Sequence, residues 1–266
     1  MKAHTIPEIV ARKCDGDKIT VLTAYDYTFA RLIDGEGVDI ILVGDSVGSI
    51  VSGYENTLPV TMDEMVYHTR AVSRGVEQAL LVADMPFMSY QVDAAEARRN
   101  AGRLVKEGGA HAVKLEGGEQ IAETVRSLVA MDIPVMGHVG LTPQSVHRMG
   151  GFKVQGKEAE AAERIFADAV AVAEAGAFAV VLECVPALLA RRITEEINVP
   201  TIGIGAGPDC DGQVLVIHDI LGLCEKYSPK FVKRFADIGD TVRGGIADYI
   251  REVKDGTFPA AEHSFK

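Results

Sequence analysis

The stretch 79–116, ALLVADMPFMSYQVDAAEARRNAGRLVKEGGAHAVKLE, contains the structural unit that decides the fold. It opens with a continuous apolar run, Ala79–Ala83, which is typical of a strand covered on both faces in a parallel sheet. An amphipathic segment follows at Asp93–Glu107, with a capping box at its start and two glycines after its end, and we predict a helix there. A second apolar run, Ala112–Leu115, completes a strand–helix–strand unit.

The same alternation continues on both sides of this stretch. The apolar runs are Ile19–Ala24, Asp39–Val43, Ala79–Ala83, Ala112–Leu115, Pro134–Gly137, Phe178–Leu182, Pro200–Ile204 and Val214–Ile217. The main helices predicted with them are Thr61–Arg74, Asp93–Glu107, Gln120–Met131, Lys157–Ala175, Ala187–Ile197 and Asp240–Lys254. Eight strands that alternate with helices over about 250 residues are typical of a (β/α)8 TIM barrel, and an open doubly wound sheet is the alternative.

We predict a single α/β domain over residues 1–266, because the sequence shows no linker, low-complexity segment or repeat. Ile6–Lys13 is predicted to form an additional N-terminal helix that plugs the bottom of the barrel. The link Gly205–Gln213 fits a barrel badly, because it is short for a full crossover helix.

Composition and charge exclude several kinds of partner. With 38 acidic and 27 basic residues, the net charge of −11 disfavours nucleic acid and anionic membrane surfaces. The N-terminus has no signal-peptide core, and no apolar segment approaches the roughly 20 residues of a membrane-spanning helix. The four cysteines lie far apart and are expected to be reduced thiols. We therefore predict a cytoplasmic protein, in which an anionic substrate would need a metal ion or a placed lysine.

Ionisable side chains follow five consecutive apolar runs, at the strand ends where barrels and open α/β sheets have their active sites. Among them, Asp45, Asp84 and Glu116 could not converge on a water-poor site without a positive counter-charge. Mg²⁺ prefers such oxygen ligands and leaves positions open for substrate oxygens. Each of the three carboxylates has a simpler alternative interpretation as a turn residue or helix cap.

The remaining candidates also have two interpretations each. Lys114 lies on the same strand face as Glu116, where it could hold a substrate carboxylate or form a structural ion pair with Glu116 or a neighbouring aspartate. His138 could bind substrate or be a hydrogen-bonded core residue. Glu183 lies far in sequence from the metal candidates and suits a general base, with a salt bridge to Arg191 or Arg192 as the alternative.

A series of motifs at these positions resembles one known family. In order, they are Thr23-Ala24-Tyr25-Asp26, Val43-Gly44-Asp45-Ser46, Ala83-Asp84-Met85-Pro86-Phe87, Val113-Lys114-Leu115-Glu116-Gly117, Gly137-His138-Val139-Gly140-Leu141-Thr142-Pro143-Gln144, Gly151-Phe152-Lys153-Val154-Gln155-Gly156, Leu182-Glu183 and Ile202-Gly203-Ile204-Gly205-Ala206-Gly207. Together they are similar to ketopantoate hydroxymethyltransferases over nearly the whole chain.

The resemblance implies a (β/α)8 barrel like that of phosphoenolpyruvate mutase and isocitrate lyase. It also implies transfer of a hydroxymethyl group from 5,10-methylenetetrahydrofolate to α-ketoisovalerate (3-methyl-2-oxobutanoate), the first step of pantothenate and coenzyme A biosynthesis, by a homo-oligomer that is typically a decamer. Matched motif by motif, the implied site consists of Asp45, Asp84 and Glu116 for Mg²⁺, of Asp45, Ser46, Asp84, Lys114 and His138 for the substrate, and of Glu183 as the catalytic base.

Other functions remain open at this stage. The nearest is a Mg²⁺-dependent ketoacid lyase or mutase of the phosphoenolpyruvate mutase and isocitrate lyase type. Those enzymes characteristically use a cysteine-bearing lid, whereas the candidate lid here, Gly140–Gly156, contains no cysteine. A non-catalytic ketoacid- or folate-binding protein that kept the barrel is an alternative of a different class.

Overall fold

The apolar runs of the sequence form eight parallel strands. A computed structural model describes residues 3–224 and 229–265, and in it these strands close into a barrel in sequence order. The strands are β1 (Ile19–Thr23), β2 (Ile40–Val43), β3 (Leu80–Asp84), β4 (Ala112–Glu116), β5 (Val135–Gly140), β6 (Ala179–Glu183), β7 (Thr201–Ile204) and β8 (Gly212–Leu215). Pairing of β8 with β1 closes the sheet, so the predicted barrel is confirmed and the open sheet is wrong.

Helices follow most of the strands. They are α1 (Ile6–Asp15), α2 (Tyr27–Gly35), α3 (Val47–Ile50), α4 (Met62–Ser73), α5 (Ala94–Arg103), α6 (Ala122–Val129), α7 (Val146–Met149), α8 (Ala159–Glu174), α9 (Ala187–Glu196), α10 (Ile217–Ile220) and α11 (Ile238–Lys254). Thr61 and Glu64 form the expected capping box at the start of α4. The capping box predicted for α5 is wrong, because Asp93 accepts from the backbone N–H of Glu96 without a return bond from the Glu96 side chain. The short link between β7 and β8 contains no helix, as its length indicated.

The lower part of the barrel interior is apolar. Every second residue of a strand points inward, and the inward positions form one buried cluster with members such as Val21, Leu42 and Val82. Ile9 of α1 is fully buried in the same cluster, and Arg12 of α1 forms an ion pair with Asp39 at 2.7 Å. The N-terminal helix therefore closes the barrel at the end opposite to the carboxyl ends of the strands.

The inward positions become polar toward the carboxyl ends of the strands. In β3 the inward series Leu80, Val82 continues to Asp84, and in β4 Ala112 is followed by Lys114 and Glu116. In the same way, His138 follows Met136 in β5, and Glu183 follows Val181 in β6; all of these positions lie in paired strands. The strand period thus places the ionisable side chains in one layer above the apolar cluster.

The chain divides into two compact units, Met1–Val216 and Ile217–Lys266. The first holds the barrel, and the second holds α10, α11 and a short 3₁₀ turn at Ala261–His263. That the whole chain forms one domain stays a prediction. Within the described ranges, no helix combines the length and the apolar character that crossing a membrane requires.

Packing of α8 against the barrel predicts one stability effect. A Cβ added to Gly137 on the outer face of β5 would lie 2.3 Å from Val172 Cγ1 of α8, so Gly137→Ala should lower the free energy of unfolding in urea by about 1–3 kcal/mol. Adding Val172→Ala should recover part of this loss. Gly102→Ala in α5 is the control, because its Cβ would meet nothing within 4 Å, and it should be neutral or stabilising. Equal losses in both glycine variants would contradict this packing.

Candidate active site

The predicted site residues converge at the carboxyl ends of the strands. Five of them are buried in the barrel's upper layer: Asp45, Asp84, Lys114, Glu116 and His138. Asp45 and His138 are 93 positions apart in the chain. Glu183 lies in the same layer, with 14% of its side chain exposed. The closed barrel therefore brings together residues that are scattered in the sequence.

Lys114 and Asp84 form the central ion pair. They occupy paired positions of the neighbouring strands β4 and β3, and Lys114 Nζ lies 2.8 Å from Asp84 Oδ1. The Asp84 carboxylate also accepts a hydrogen bond of 3.0 Å from the backbone N–H of Asp45. Of the two interpretations of Lys114, the ion pair with a neighbouring aspartate is present, and it does not prevent the lysine from binding a substrate carboxylate as well.

His138 lies between Lys114 and Glu183. Lys114 Nζ donates to His138 Nδ1 at 3.1 Å, which leaves the proton of the neutral ring on Nε2. Burial and the neighbouring Lys114 charge hold the pKa of His138 well below its ordinary value, so the ring is neutral at pH 7. Nε2 is 3.1 Å from Glu183 Oε2, yet it has no hydrogen-bond partner among the described residues. A substrate oxygen could satisfy this buried donor.

The carboxylates carry more negative charge than Lys114 can balance. Burial, followed by repulsion from Asp84, raises the pKa of Asp45 to about 7. Burial, followed by repulsion from Asp45, raises the pKa of Glu116 well above its ordinary value. Burial alone would lower the pKa of Lys114, but attraction to Asp84, Glu116 and Asp45 outweighs it and raises that pKa. An additional cation in this layer would relieve the repulsion.

Glu183 has the properties of a general base. Burial, partly opposed by Lys114, raises the pKa of its carboxyl to about 7. The suggested salt bridges to the following helix are wrong, because Arg191 pairs with Glu195 and Arg192 pairs with Glu163.

Ser46 lies at the start of α3, directly after Asp45. Its hydroxyl is 2.8 Å from the hydroxyl of Tyr25, and Ser46 is only partly buried. The tyrosine holds the serine at the edge of the buried layer, where a substrate could reach it.

Sequence reasoning missed two residues that hold the site together, Gln144 and Tyr90. Gln144 donates from Nε2 to Asp45 Oδ2 at 2.8 Å and from its backbone N–H to Glu116 Oε2 at 3.0 Å. Tyr90 donates to Gln144 Oε1 at 2.7 Å. Gln144 is the last residue of the motif that starts at Gly137, but neither Gln144 nor Tyr90 has a spacing or charge in the sequence that indicates its role.

The donor set fits a hard divalent cation. Within the described part of the chain, no three His, Cys, Asp or Glu side chains are already placed as a closed set of metal ligands. Mg²⁺ does not need such a set, because it commonly binds through one or two carboxylates and completes its shell with water and substrate oxygens. The crowded carboxylates of Asp45, Asp84 and Glu116, with their unbalanced charge, suit that mode of binding.

Comparisons with known proteins cover the whole chain. A family model described as ketopantoate hydroxymethyltransferase matches residues 3–261. A protein of Syntrophotalea carbinolica named 3-methyl-2-oxobutanoate hydroxymethyltransferase is 68% identical over 264 residues, which cover 99% of either chain. A protein of Geobacter metallireducens with the same name is 66% identical over the same length, again covering 99% of either chain.

Solved structures with a similar fold have much lower sequence identity. Phosphonopyruvate hydrolase, in a complex with oxalate and Mg²⁺, has a TM-score of 0.62 at 15% identity, covering 97% of this chain and 92% of that one. Phosphoenolpyruvate phosphomutase from Streptomyces platensis subsp. rosaceus has a TM-score of 0.62 at 16% identity, with coverages of 99% and 92%. A 2,3-dimethylmalate lyase, described as a member of the PEP mutase/isocitrate lyase superfamily, has a TM-score of 0.61 at 17% identity, with coverages of 97% and 88%. These likenesses show that the chain shares the barrel fold of those proteins.

Proposed function

The chain belongs to the ketopantoate hydroxymethyltransferase family, and on that premise we propose how its buried polar layer performs the reaction. It is an enzyme that transfers a hydroxymethyl group to 3-methyl-2-oxobutanoate, also called α-ketoisovalerate, in the pathway that leads to pantoate. The finer elements of the proposal are 5,10-methylenetetrahydrofolate as the donor, Mg²⁺ as the cofactor and a role for each site residue.

The observation that carries the proposal is the charge imbalance of the buried layer. Four carboxylates, those of Asp45, Asp84, Glu116 and Glu183, share it with Lys114 and a neutral His138. Asp45, Asp84 and Glu116 would hold Mg²⁺, which fits their oxygen donors and their unmet need for positive charge. When bound, Mg²⁺ supplies a Lewis acid that polarises the ketone of the substrate and stabilises the negative charge of its enolate.

The ketoacid is recognised by the residues around this cluster. Lys114 supplies positive charge for the substrate carboxylate, which an acidic protein otherwise lacks. Ser46, at the partly open edge, donates from its hydroxyl, and Nε2 of His138, which lies beside Glu183 Oε2, donates to a substrate oxygen. Because this layer is buried, its effective dielectric constant is lower than that of water, and each of these electrostatic contacts is stronger there.

Glu183 acts as the general base. It removes the proton from the carbon next to the ketone, and the resulting enolate carbon forms a C–C bond to the methylene carbon of the folate. Both C–N bonds of that methylene carbon break, water supplies the hydroxyl oxygen, and tetrahydrofolate leaves with its two nitrogens protonated, one proton coming from the ketoacid and one from the water. A carboxyl with a pKa of about 7 is suited to this step, because a substantial fraction of it is ionised at neutral pH and it is a stronger base than an ordinary glutamate. Its side chain is also more exposed than those of His138, Lys114 or Asp84, which favours contact with the substrate.

A Mg²⁺-dependent ketoacid lyase or mutase is disfavoured by two observations. Relatives at 68% and 66% identity carry the name of the hydroxymethyltransferase, whereas the structures of the mutase and lyase type share only the fold at 12–17% identity. The segment Gly140–Gly156 also contains no cysteine.

We further propose that the enzyme is a cytoplasmic homo-oligomer, a decamer by resemblance to its family. Free thiols at all four cysteines are compatible with a reducing compartment. Light scattering on a sizing column would give the number of subunits directly.

The metal assignment predicts that one substitution, at Asp84, weakens the binding of both Mg²⁺ and the ketoacid. EDTA should abolish turnover of α-ketoisovalerate with methylenetetrahydrofolate, and Mg²⁺ should restore it. Asp84→Asn keeps the side-chain shape but loses the charge, so calorimetry should show weaker binding of both Mg²⁺ and ketoacid. Asp132→Asn is the control, because Asp132 is exposed and lies before β5, far from the carboxyl end of that strand. Wild-type affinities in Asp84→Asn would show that Asp84 only orders the turn that follows β3.

Lys114→Met distinguishes substrate recognition from a purely structural ion pair. If Lys114 binds the substrate carboxylate, the KM for α-ketoisovalerate should rise by roughly 10–100-fold, because a hydrogen bond to a charged group contributes about 1.5–3 kcal/mol. The KM for the folate should change little. Lys106→Met, at an exposed position, removes the same charge and should leave both constants unchanged. A lower Tm with both KM values intact would favour the structural interpretation.

The role of Glu183 can be tested without the folate. With Mg²⁺ and α-ketoisovalerate in D₂O, the enzyme should exchange the proton next to the ketone, and proton NMR of that C–H would follow the exchange. The rate should increase as the pH rises through about 7, because only the ionised carboxylate accepts a proton and its pKa is raised to about 7. Glu183→Gln should lower the rate by roughly 10²–10⁴-fold. Exchange at the wild-type rate in that variant would assign the abstraction to another group, with His138 as the first to test.

A further inference from the structure

Gln144 forms hydrogen bonds to two carboxylates of the site, those of Asp45 and Glu116. It lies in the 3₁₀ turn Pro143–Ser145 that follows β5, and only 7% of the residue is exposed. Its side-chain Nε2 donates to Asp45 Oδ2 at 2.8 Å and to the backbone carbonyl of Met85 at 3.0 Å. Its backbone N–H donates to Glu116 Oε2 at 3.0 Å. One residue thus contacts two of the three carboxylates proposed for the metal.

Tyr90 fixes the orientation of the Gln144 amide. Its hydroxyl lies 2.7 Å from Gln144 Oε1 and 2.9 Å from the backbone carbonyl of Glu116, and it accepts a hydrogen bond from the backbone N–H of Glu116 at 3.2 Å. Gln91 Nε2 also donates to Gln144 Oε1, at 3.3 Å. If the amide were flipped, Oε1 would face the Met85 carbonyl and the Asp45 carboxylate, and neither the carbonyl nor the ionised carboxylate can donate. The amide group therefore has one satisfied orientation, in which its NH₂ faces Asp45.

We propose that Gln144 is a positioning residue that holds Asp45 and Glu116 in the geometry that binds the divalent cation, an inference that rests on the proposed metal site. The hydrogen bonds engage Oδ2 of Asp45 and Oε2 of Glu116 and so restrict the rotation of both carboxylates, while Gln144 makes no hydrogen bond to Asp45 Oδ1 or to Glu116 Oε1, which lies 3.6 Å from His138 Nδ1. Donors behind ligating carboxylates restrict their rotation and stabilise their ionised form. Without Gln144, two buried carboxylates that repel one another would be free to turn apart.

The experiment uses Mn²⁺ as the probe, because it shares the preference of Mg²⁺ for oxygen ligands and its free and bound forms are distinguished by electron paramagnetic resonance. Gln144→Met keeps the length of the side chain and removes its hydrogen-bonding amide. Loss of a hydrogen-bonding partner of a metal ligand typically weakens metal binding by 10–100-fold, so we expect a rise of that order in the Kd for Mn²⁺. The KM for the ketoacid should rise as well, while the KM for the folate should stay close to that of the wild type.

Gln120→Met is the matched control. Gln120 follows β4 at the same end of the barrel, but it is exposed, and its side chain accepts a hydrogen bond from the backbone N–H of Gly118. The Kd of this variant for Mn²⁺ should equal that of the wild type. Tyr90→Phe is the second test variant, because it leaves Gln144 in place and removes the hydroxyl that orients its amide; a smaller rise in the Kd is expected.

The outcomes separate this inference from the proposed function. If the wild-type enzyme binds Mn²⁺ and a folded Gln144→Met variant binds it within twofold as tightly, Gln144 has only a structural role and the inference is overturned. If Gln144→Met does not fold, an unchanged Mn²⁺ affinity in Tyr90→Phe overturns it instead. Failure of the wild-type enzyme to bind Mn²⁺ would overturn the metal site itself, and the role of Gln144 with it.

Discussion

The ion pair of Lys114 and Asp84 inside the barrel is the interaction on which the rest of the site depends. Removing two charges from water costs several kcal/mol per ion, so a buried pair adds little net stability. It does, however, keep positive charge in the centre of an acidic protein. The same lysine donates to His138 and keeps that ring neutral, and its field partly offsets the charges of Asp45 and Glu116.

The lower and upper layers of the barrel interior have different roles, the lower one in stability and the upper one in the proposed chemistry. The lower layers consist of apolar side chains, with Ile9 of α1 packed against them at the bottom. They supply the apolar burial that holds the strands together. The upper layer breaks this pattern, because its inward positions carry Asp84, Lys114, Glu116 and His138. Polar residues at core positions reduce stability, and proteins commonly tolerate them where function requires them.

Within the upper layer, the two sides of Lys114 have different environments. On one side, Asp45 and Glu116 repel one another in a fully buried space and are tied to Gln144. On the other side, Glu183 is partly exposed and faces the ring of His138. Carboxylates in such distinct surroundings can take distinct roles, one group as ligands and one as a base, as in other enzymes that use several acidic residues.

The sequence by itself determined the local features of this protein. Continuous apolar runs predicted all eight strands to within a few residues, and the N-cap residues Thr61 and Asp93 placed the starts of α4 and α5, because strand period and helix caps depend on residues close together in the chain. The ionisable residues at the ends of five strands likewise predicted the site candidates Asp45, Asp84, Lys114, Glu116, His138 and Glu183, which the structure brings into one layer. Only the tertiary structure decided which of these side chains contact one another. The register of β3 with β4 pairs Lys114 with Asp84 rather than with Glu116. Barrel closure brings Gln144 to Asp45, 99 positions earlier in the chain, and brings Tyr90 to Gln144. Such contacts arise from strand pairing and loop packing between distant segments, and no local pattern of residues encodes them.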